Sequence, residues 1–231
     1  MDASASATFV LVHGGGGSSW DWHLLVPHLA ELGHDVIAVD LPIEDEANGI
    51  AEYADAVLAE CAGRPNLAVA AHSFGGLVAP VVCSRTDAEL LVMVAAMIPK
   101  PGETGNEWWS ATGHDKLDVR MGTEQETIDT FFNDLPPELV AEAFEHERDQ
   151  AGGFGDPSPL QAWPEVPTRY LLCRDDHCFP PAFARAHAAE RLGVVADEID
   201  GGHMVALSRP RELAERLHRY WIERDVDAVS D

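Results

Sequence analysis

Residues 67–76 read Leu67-Ala68-Val69-Ala70-Ala71-His72-Ser73-Phe74-Gly75-Gly76. The run begins with continuously apolar residues, and a helix-compatible segment follows at residues 77–83, so Ser73 falls where a strand must turn sharply into a helix. Such a turn lifts the hydroxyl above the sheet edge and points the first helical N–H groups at the same place. Ser73 is therefore a candidate nucleophile, and a helix N-cap is the alternative role.

The turn departs from the G-x-S-x-G pattern at one position. That pattern has glycine two residues before the serine, whereas this chain has Ala71. Alanine is the next smallest residue, and Gly75 and Gly76 supply the small neighbours after the serine. We predict that the sharp turn forms despite the substitution.

Strand-like and helix-like segments alternate on both sides of the turn. Apolar runs predict strands at residues 9–12, 36–39, 67–71, 90–95 and 170–173, and the continuing alternation places a further strand at residues 194–199. Helical spacing of apolar residues predicts helices at residues 22–32, 50–61, 77–83, 182–191 and 208–222. The alternation predicts an α/β fold with a mostly parallel central sheet and helices on both faces.

The alternation breaks between about residues 100 and 164, where prolines and Gly152-Gly153 punctuate helix-like pieces at residues 124–132 and 138–149. We expect one domain over residues 1–231, with a small helical cap inserted at about residues 100–164. The insertion is rich in aromatic residues: Trp108, Trp109, Phe131, Phe132, Phe144 and Trp163. These side chains either line a pocket or form a core within the insertion.

Composition restricts the partners and the compartment. Fifteen basic and 40 acidic residues give a formal net charge of −25, a field that repels nucleic acid and anionic lipid. This acidity reflects either host adaptation or attraction of a cationic ligand. Residues 1–8 lack the pattern of a signal peptide, and no apolar run approaches the roughly 18 residues of a membrane span, so we expect a cytoplasmic protein without nucleic-acid or membrane partners. The four cysteines form no C-x-x-C pair, which favours buried thiols over a disulfide or zinc framework.

A serine nucleophile requires a base and usually a carboxylate that orients the base. His203 follows the predicted strand at residues 194–199, after two glycines that free the backbone to aim the imidazole. Asp176 follows the strand at residues 170–173, and its neighbour Asp175 is the rival for the same role. The chain order serine, aspartate, histidine is the order of α/β-hydrolases.

The first strand ends in His13-Gly14-Gly15-Gly16-Gly17, which suits two kinds of site. An oxyanion hole needs two converging N–H groups, and Gly15 and Phe74 fit these positions. A phosphate-binding loop is the rival, with Asp40 at the end of the next strand as a ribose-binding acid. The G-x-G-x-x-G pattern fails at Ser19, so the oxyanion loop is favoured.

Together these motifs resemble the α/β-hydrolase branch that contains plant methylesterases, hydroxynitrile lyases and related bacterial esterases. The resemblance rests on the first-strand histidine and glycines with Trp20 and Trp22, on the turn at Ser73, and on the segments that carry Asp176 and His203. It covers nearly the whole chain apart from the insertion. It implies Ser73 as nucleophile, Asp176 as acid, His203 as base, and Gly15 and Phe74 as oxyanion donors.

Two positions separate hydrolases from lyases within that branch. Hydroxynitrile lyases of this type are expected to place a threonine after the first-strand histidine and a lysine after the catalytic histidine. This chain has Gly14 and Met204 there. Without a cation beside the base, stabilising a departing cyanide is difficult, so the resemblance implies hydrolysis.

We therefore expect a carboxylesterase that cleaves a small neutral ester or lactone through an acyl-enzyme, without a metal or an organic cofactor. The expected pocket residues are Gly14, Met97, Trp108, Trp109, Phe131 and Met204. Two alternatives remain open. One is other chemistry on the same triad, as in an amidase, thioesterase, hydroxynitrile lyase or cofactor-free perhydrolase. The other is a receptor-like protein that binds a ligand with little turnover.

Overall fold

The computed structural model describes residues 6–224, in which six strands form one parallel sheet. The strands are β1 Thr8–Val12, β2 Asp35–Val39, β3 Leu67–His72, β4 Leu90–Val94, β5 Thr168–Cys173 and β6 Asp197–Ile199. Their spatial order is β2-β1-β3-β4-β5-β6, and every neighbouring pair is parallel. The predicted α/β class with a parallel central sheet is confirmed.

Helices cover both faces of this sheet. Within the described residues they are α1 Val26–Glu31, α2 Ile50–Glu60, α3 Ala79–Cys83, α4 Gly105–Ala111, α5 Glu124–Phe131, α6 Pro137–Glu145, α7 Pro181–Leu192, α8 Val205–Ser208 and α9 Pro210–Glu223. Val10 and Val12 of β1 pack into the core that contains α2, α3 and α7, whereas Phe9 and Leu11 pack into the core that contains α1, α8 and α9. Successive strand residues point to opposite faces, so a continuously apolar strand serves both cores.

Among the predicted elements whose extent differs from the observed one are a helix and a strand. The helix expected at residues 22–32 is divided into a 3-10 turn, Ser19–Trp22, and α1. Pro27 explains the division, because proline lacks the N–H that a helix interior needs and is tolerated in the first turn, where it lies in α1. The strand expected at residues 194–199 is reduced to the three residues of β6, which forms the sheet edge and pairs with β5 alone.

The segment between β4 and β5 carries α4, α5 and α6, of which α4 was not predicted from the sequence. It is fastened to the sheet body by backbone hydrogen bonds: Arg148 N–H donates to the Gly16 carbonyl at 2.8 Å, and Ala151 N–H donates to the Ile43 carbonyl at 2.9 Å. The carboxyl ends of parallel strands share one edge, so the loops after β1, β3, β5 and β6 meet beneath this segment.

Two further properties follow from the described residues. All four cysteines are buried free thiols, as predicted. Within residues 6–224, no helix combines the length and the apolar character that crossing a bilayer would require.

Candidate active site

Ser73 begins a 3-10 turn, Ser73–Leu77, directly after β3 and has a backbone φ of 50°. Residues other than glycine seldom adopt this left-handed conformation, so neighbouring backbone must hold it. Ser73 O accepts the Met97 N–H at 2.9 Å. A Cβ on Gly75 would lie 2.6 Å from the His13 carbonyl oxygen, and one on Gly76 would lie 2.1 Å from the Met97 carbonyl oxygen. The turn therefore requires glycine at both positions, while the fully buried Ala71 fits within β3.

Asp176 and His203 form a buried pair at the ends of β5 and β6. Asp176 Oδ2 lies 2.9 Å from His203 Nδ1, and Oδ1 accepts the N–H groups of Cys178 and Phe179 at 2.8 Å. Asp175 is exposed, so the geometry places Asp176 and not its rival beside the imidazole. Burial acts to raise the pKa of Asp176, but the charge and hydrogen bond of His203, together with the Phe179 N–H, outweigh it and lower the pKa.

The pairing sets the tautomer of His203. An ionised carboxylate only accepts hydrogen bonds, so Nδ1 carries the proton and Nε2 is left as a proton acceptor. Nε2 is buried and has no hydrogen-bond partner among the residues from 6 to 224. Ser73 and His203 line the same inner pocket, with a volume of about 120 Å³. The structure thus brings a hydroxyl and an uncommitted base to one small space.

The glycine loop after β1 lies against the turn at Ser73. A Cβ on Gly14 would lie 3.1 Å from Ser73 Cβ, and one on Gly15 would lie 3.5 Å from Phe74 Cβ. Gly15 and Phe74, the two expected oxyanion donors, therefore adjoin each other beside Ser73. Gly15 and Phe74 also line the main cavity, which lies beside the inner pocket.

Hydrogen bonds on both sides fix this loop. His13 Nε2 accepts the Leu41 N–H at 3.1 Å, which leaves Nδ1 protonated to donate to the Gly14 carbonyl at 2.7 Å. Burial lowers the pKa of His13 to about 4, so the ring stays neutral near pH 7 and keeps this tautomer. On the other side, Gly16 N–H donates to Gln150 Oε1 at 3.2 Å. The N–H of Gly15 thus lies between two anchored residues.

Asp40 does not take part in this loop as a ribose-binding acid would. It accepts hydrogen bonds from the backbone N–H and the hydroxyl of Ser19, at 2.6 and 3.1 Å. Its carboxylate therefore anchors the 3-10 turn that follows the glycine loop. This contact gives the Asp40 carboxylate hydrogen-bond partners within the chain.

His72, the residue before Ser73, is a second histidine in the site that sequence reasoning did not single out. Its Nε2–H donates to the His203 carbonyl at 2.9 Å, and the two rings lie 4.6 Å apart. Burial, together with the charge of His203, lowers the pKa of His72 to about 3, so the ring is neutral. His72 therefore fixes the backbone of His203. Its position directly before Ser73 in the sequence is the signal that could have pointed to it.

The main cavity has a volume of about 700 Å³ and opens beside Ser73. Most of its apolar lining comes from the segment between β4 and β5, here termed the cap segment: Met97, Trp109, Met121, Phe131, Phe144 and Phe154. Of the expected pocket residues, Met97 and Trp109 line this cavity, Gly14 and Met204 line the inner pocket, and Phe131 lines both.

Trp108 is the expected pocket residue that the structure places elsewhere. It is fully buried, and its indole N–H donates to the Ile98 carbonyl at 3.1 Å. Its ring packs against the rings of His114 and His187 at 5.9 and 5.0 Å. The position is corrected from pocket to core, because α4 turns Trp109 toward the cavity and Trp108 toward the sheet body.

Asp21 is an acidic group of the inner pocket that the sequence did not predict. Its carboxylate lies over the glycine loop, since a Cβ on Gly17 would lie 2.1 Å from Asp21 Oδ2, and it shares the pocket with Ser73 and His203. Burial raises the pKa of Asp21 to about 7; a Ser18 backbone hydrogen bond opposes the shift and the charge of Asp40 adds to it. An acid between Trp20 and Trp22, close to the glycine loop, was the available signal.

We expect Asp21→Asn to stabilise the protein at pH 8 and to leave its stability nearly unchanged at pH 4. In the unfolded chain the carboxyl ionises near pH 4, whereas in the folded protein it ionises at about 7, so the folded state loses stability as pH rises between these values. Removing the charge should add about 2–4 kcal/mol to the free energy of unfolding above pH 7. Urea unfolding at pH 4, 6 and 8 measures this, with the exposed Asp87→Asn as control. A stability difference that is the same at all three pH values would contradict the shift.

The chain is similar to known proteins over most of its length. The model of the alpha/beta hydrolase family matches residues 9–216. Norfluorocurarine synthase 1 from Strychnos sp is 25% identical over 252 residues, covering 90% of this chain and 93% of that protein. Polyneuridine aldehyde esterase from Rauvolfia serpentina is 26% identical over 260 residues, covering 94% of this chain and 96% of that protein.

Solved structures show the same architecture. The crystal structure of polyneuridine aldehyde esterase superimposes with a TM-score of 0.77 at 24% identity, and the match covers 92% of this chain and 98% of that one. The likeness confirms the predicted α/β-hydrolase fold.

Proposed function

Because the chain belongs to the alpha/beta hydrolase family, we propose that it is a serine hydrolase that cleaves a small neutral carboxylic ester or lactone. The observation that carries the proposal is the buried Asp176–His203 pair: His203 lines the same pocket as Ser73, and its Nε2 has no hydrogen-bond partner within residues 6–224. A carboxylate, an imidazole and a hydroxyl in this order supply the base and the nucleophile of acyl transfer.

The reaction follows from these groups in two halves. Ser73 Oγ attacks the substrate carbonyl carbon while His203 Nε2 takes the hydroxyl proton, and the N–H groups of Gly15 and Phe74 stabilise the negative oxygen. His203 then gives the proton to the departing alkoxide, which leaves as an alcohol. A water molecule next loses a proton to His203 and attacks the acyl-enzyme. The acid is released, and Ser73 regains its proton.

The two spaces that meet at Ser73 support an asymmetric substrate. The main cavity, about 700 Å³ and lined largely by aromatic and methionine side chains, suits a bulky apolar portion. The inner pocket, about 120 Å³, has room for only a few heavy atoms beside His203 and Met204. A neutral substrate is favoured because the Glu147 carboxylate lines both spaces and would repel an anionic one. The esterase name of a relative 26% identical to this chain supports an ester as the reacting group.

Hydrolysis is favoured over cyanohydrin cleavage by the same inner pocket. Met204 follows His203 and lines this pocket, as does Gly14. Neither side chain carries a positive charge that would stabilise departing cyanide. The small residue at position 14 instead lets the glycine loop approach Ser73 closely.

We expect a fluorophosphonate probe to label the protein rapidly, with one equivalent at Ser73, because the uncommitted His203 base activates that hydroxyl. Peptide mass spectrometry locates the label. A panel of p-nitrophenyl esters of graded acyl size, with lactones, amides, thioesters and cyanohydrins, then tests the reaction class. Turnover of amides or cyanohydrins in preference to esters would overturn the ester assignment. An unlabelled serine with no turnover would favour a ligand-binding protein.

A further inference from the structure

Two side chains of the cap segment reach the loops that carry Asp176 and His203. Asn133 and Asp134, here termed the clamp pair, follow α5. Asn133 Nδ2 donates to the Asp175 carbonyl at 3.0 Å, in the residue just before Asp176. Asp134 Oδ2 accepts the Gly202 N–H at 2.7 Å, in the residue just before His203. Adjacent residues of one segment thus bind the backbone next to the acid and next to the base.

The loop before His203 is shaped to receive this pair. Gly201 has a φ of 120°, a conformation that favours glycine, and a Cβ on Gly202 would lie 2.6 Å from both Asn133 Oδ1 and Asp134 Oδ1. The two glycines allow the close approach, and they contribute no side chain that could anchor the loop, in which Arg174 holds the Asp200 carboxylate. External hydrogen bonds must therefore hold it in place.

Contacts from opposite sides then confine the imidazole. The clamp pair holds the backbone before His203, and His72 Nε2–H holds the carbonyl of His203 itself at 2.9 Å. The ring of Phe131, at the end of α5, lies 5.4 Å from the imidazole with an interplanar angle of 63°. The Asp175 N–H also donates to the Gly201 carbonyl at 2.9 Å, which ties the two loops to each other.

We propose that Asn133 and Asp134 are positioning residues, which hold the Asp176 and His203 loops in the register that proton transfer requires. The inference rests on the proposed serine-hydrolase function. The cap segment then contributes to catalysis as well as to the pocket, because Asn133 and Asp134 bind the backbone beside the acid and beside the base. Small displacements of reacting groups are costly, and a shift of about 1 Å can reduce the rate about 100-fold.

We expect Asp134→Ala to lower kcat for a p-nitrophenyl ester about 10- to 100-fold, with KM within about twofold. Asp134→Asn keeps an oxygen that can accept the Gly202 N–H and should recover most of kcat. The matched control is Glu138→Ala, which removes an exposed acid four residues later at the start of α6. A residue that served only stability would lower the melting temperature without this split between kcat and KM and without rescue by asparagine.

A second measurement separates this inference from the proposed function. The far-downfield proton resonance of His203 Nδ1–H, assigned by its loss in His203→Asn, reports the hydrogen bond to Asp176 without any turnover. Asp134→Ala should shift or broaden it, and Asp134→Asn should retain it. If Asp134→Ala does not fold, Asn133→Ala, which cuts only the bond to Asp175, is tested by the same measurement. An unchanged resonance in a folded variant overturns the positioning role of the clamp pair. Absence of esterase activity in the unmodified protein overturns only the proposed function.

Discussion

We expect Ser73→Ala to abolish ester turnover, lowering kcat by about 10⁶-fold relative to the unmodified chain. Alanine removes the oxygen that forms the acyl-enzyme, and no other hydroxyl follows β3 at that point of the turn. Oxyanion donors and substrate binding alone would leave about 10³- to 10⁴-fold acceleration over water. Initial rates on a short-chain p-nitrophenyl ester measure the loss, with both proteins at concentrations fixed by absorbance.

Ser73→Gly is the matched control for the fold. Ser73 holds a φ of 50°, which glycine adopts without the strain that serine and alanine share. The glycine variant should be as inactive as the alanine variant and should have a higher melting temperature than the alanine variant. Ester turnover that survives in both variants would remove Ser73 from the mechanism.

The approach of Ser73, Asp176 and His203 to one sheet edge could be predicted because parallel strands end on the same side. Each residue follows a predicted strand, and the chain order of the three matched a known topology. The need for small residues around the turn could also be predicted, since close backbone contacts exclude side chains there. Local sequence carries this information because strand, turn and helix follow one another within a few residues.

The cap segment could not be predicted in the same detail, because its side chains face partners that are distant in sequence. Trp108 and Trp109 are neighbours on α4, yet one is buried in the core and the other lines the cavity. Helical spacing gives the angle between them but not the direction in which the helix is turned. Asn133 and Asp134 are the same kind of case, since their partners lie 42 and 68 residues away.

The raised pKa of Asp21 could not be predicted for a related reason. It depends on how the carboxylate packs against the glycine loop, and no motif in the sequence marks this residue. A chain with a formal charge of −25 contains many acidic residues, and spacing does not distinguish those that the fold withdraws from water. Tertiary packing decides it.

We expect Asp176→Asn to lower kcat/KM by about 10³- to 10⁴-fold while Asp175→Asn changes it by no more than about twofold. Asp176 Oδ2 lies 2.9 Å from His203 Nδ1, whereas the Asp175 side chain is exposed and the contacts of that residue are through its backbone. The comparison is made on the same ester, with melting temperatures to show that both variants fold. A larger loss in Asp175→Asn would move the acid one residue back.

The size of the loss follows from the way Asp176 is held. Its Oδ1 accepts two N–H groups, from Cys178 and Phe179, each at 2.8 Å. An asparagine must keep its oxygen on those two donors, so its NH₂ group is turned toward His203. Nδ1 of His203 must then become the acceptor, and the ring proton moves to Nε2, where it blocks removal of the Ser73 proton. Asp176→Asn therefore disables the base by reversing its tautomer while the shape of the site is retained, and Asp176→Ala, which leaves the tautomer free, should be the less impaired variant at alkaline pH.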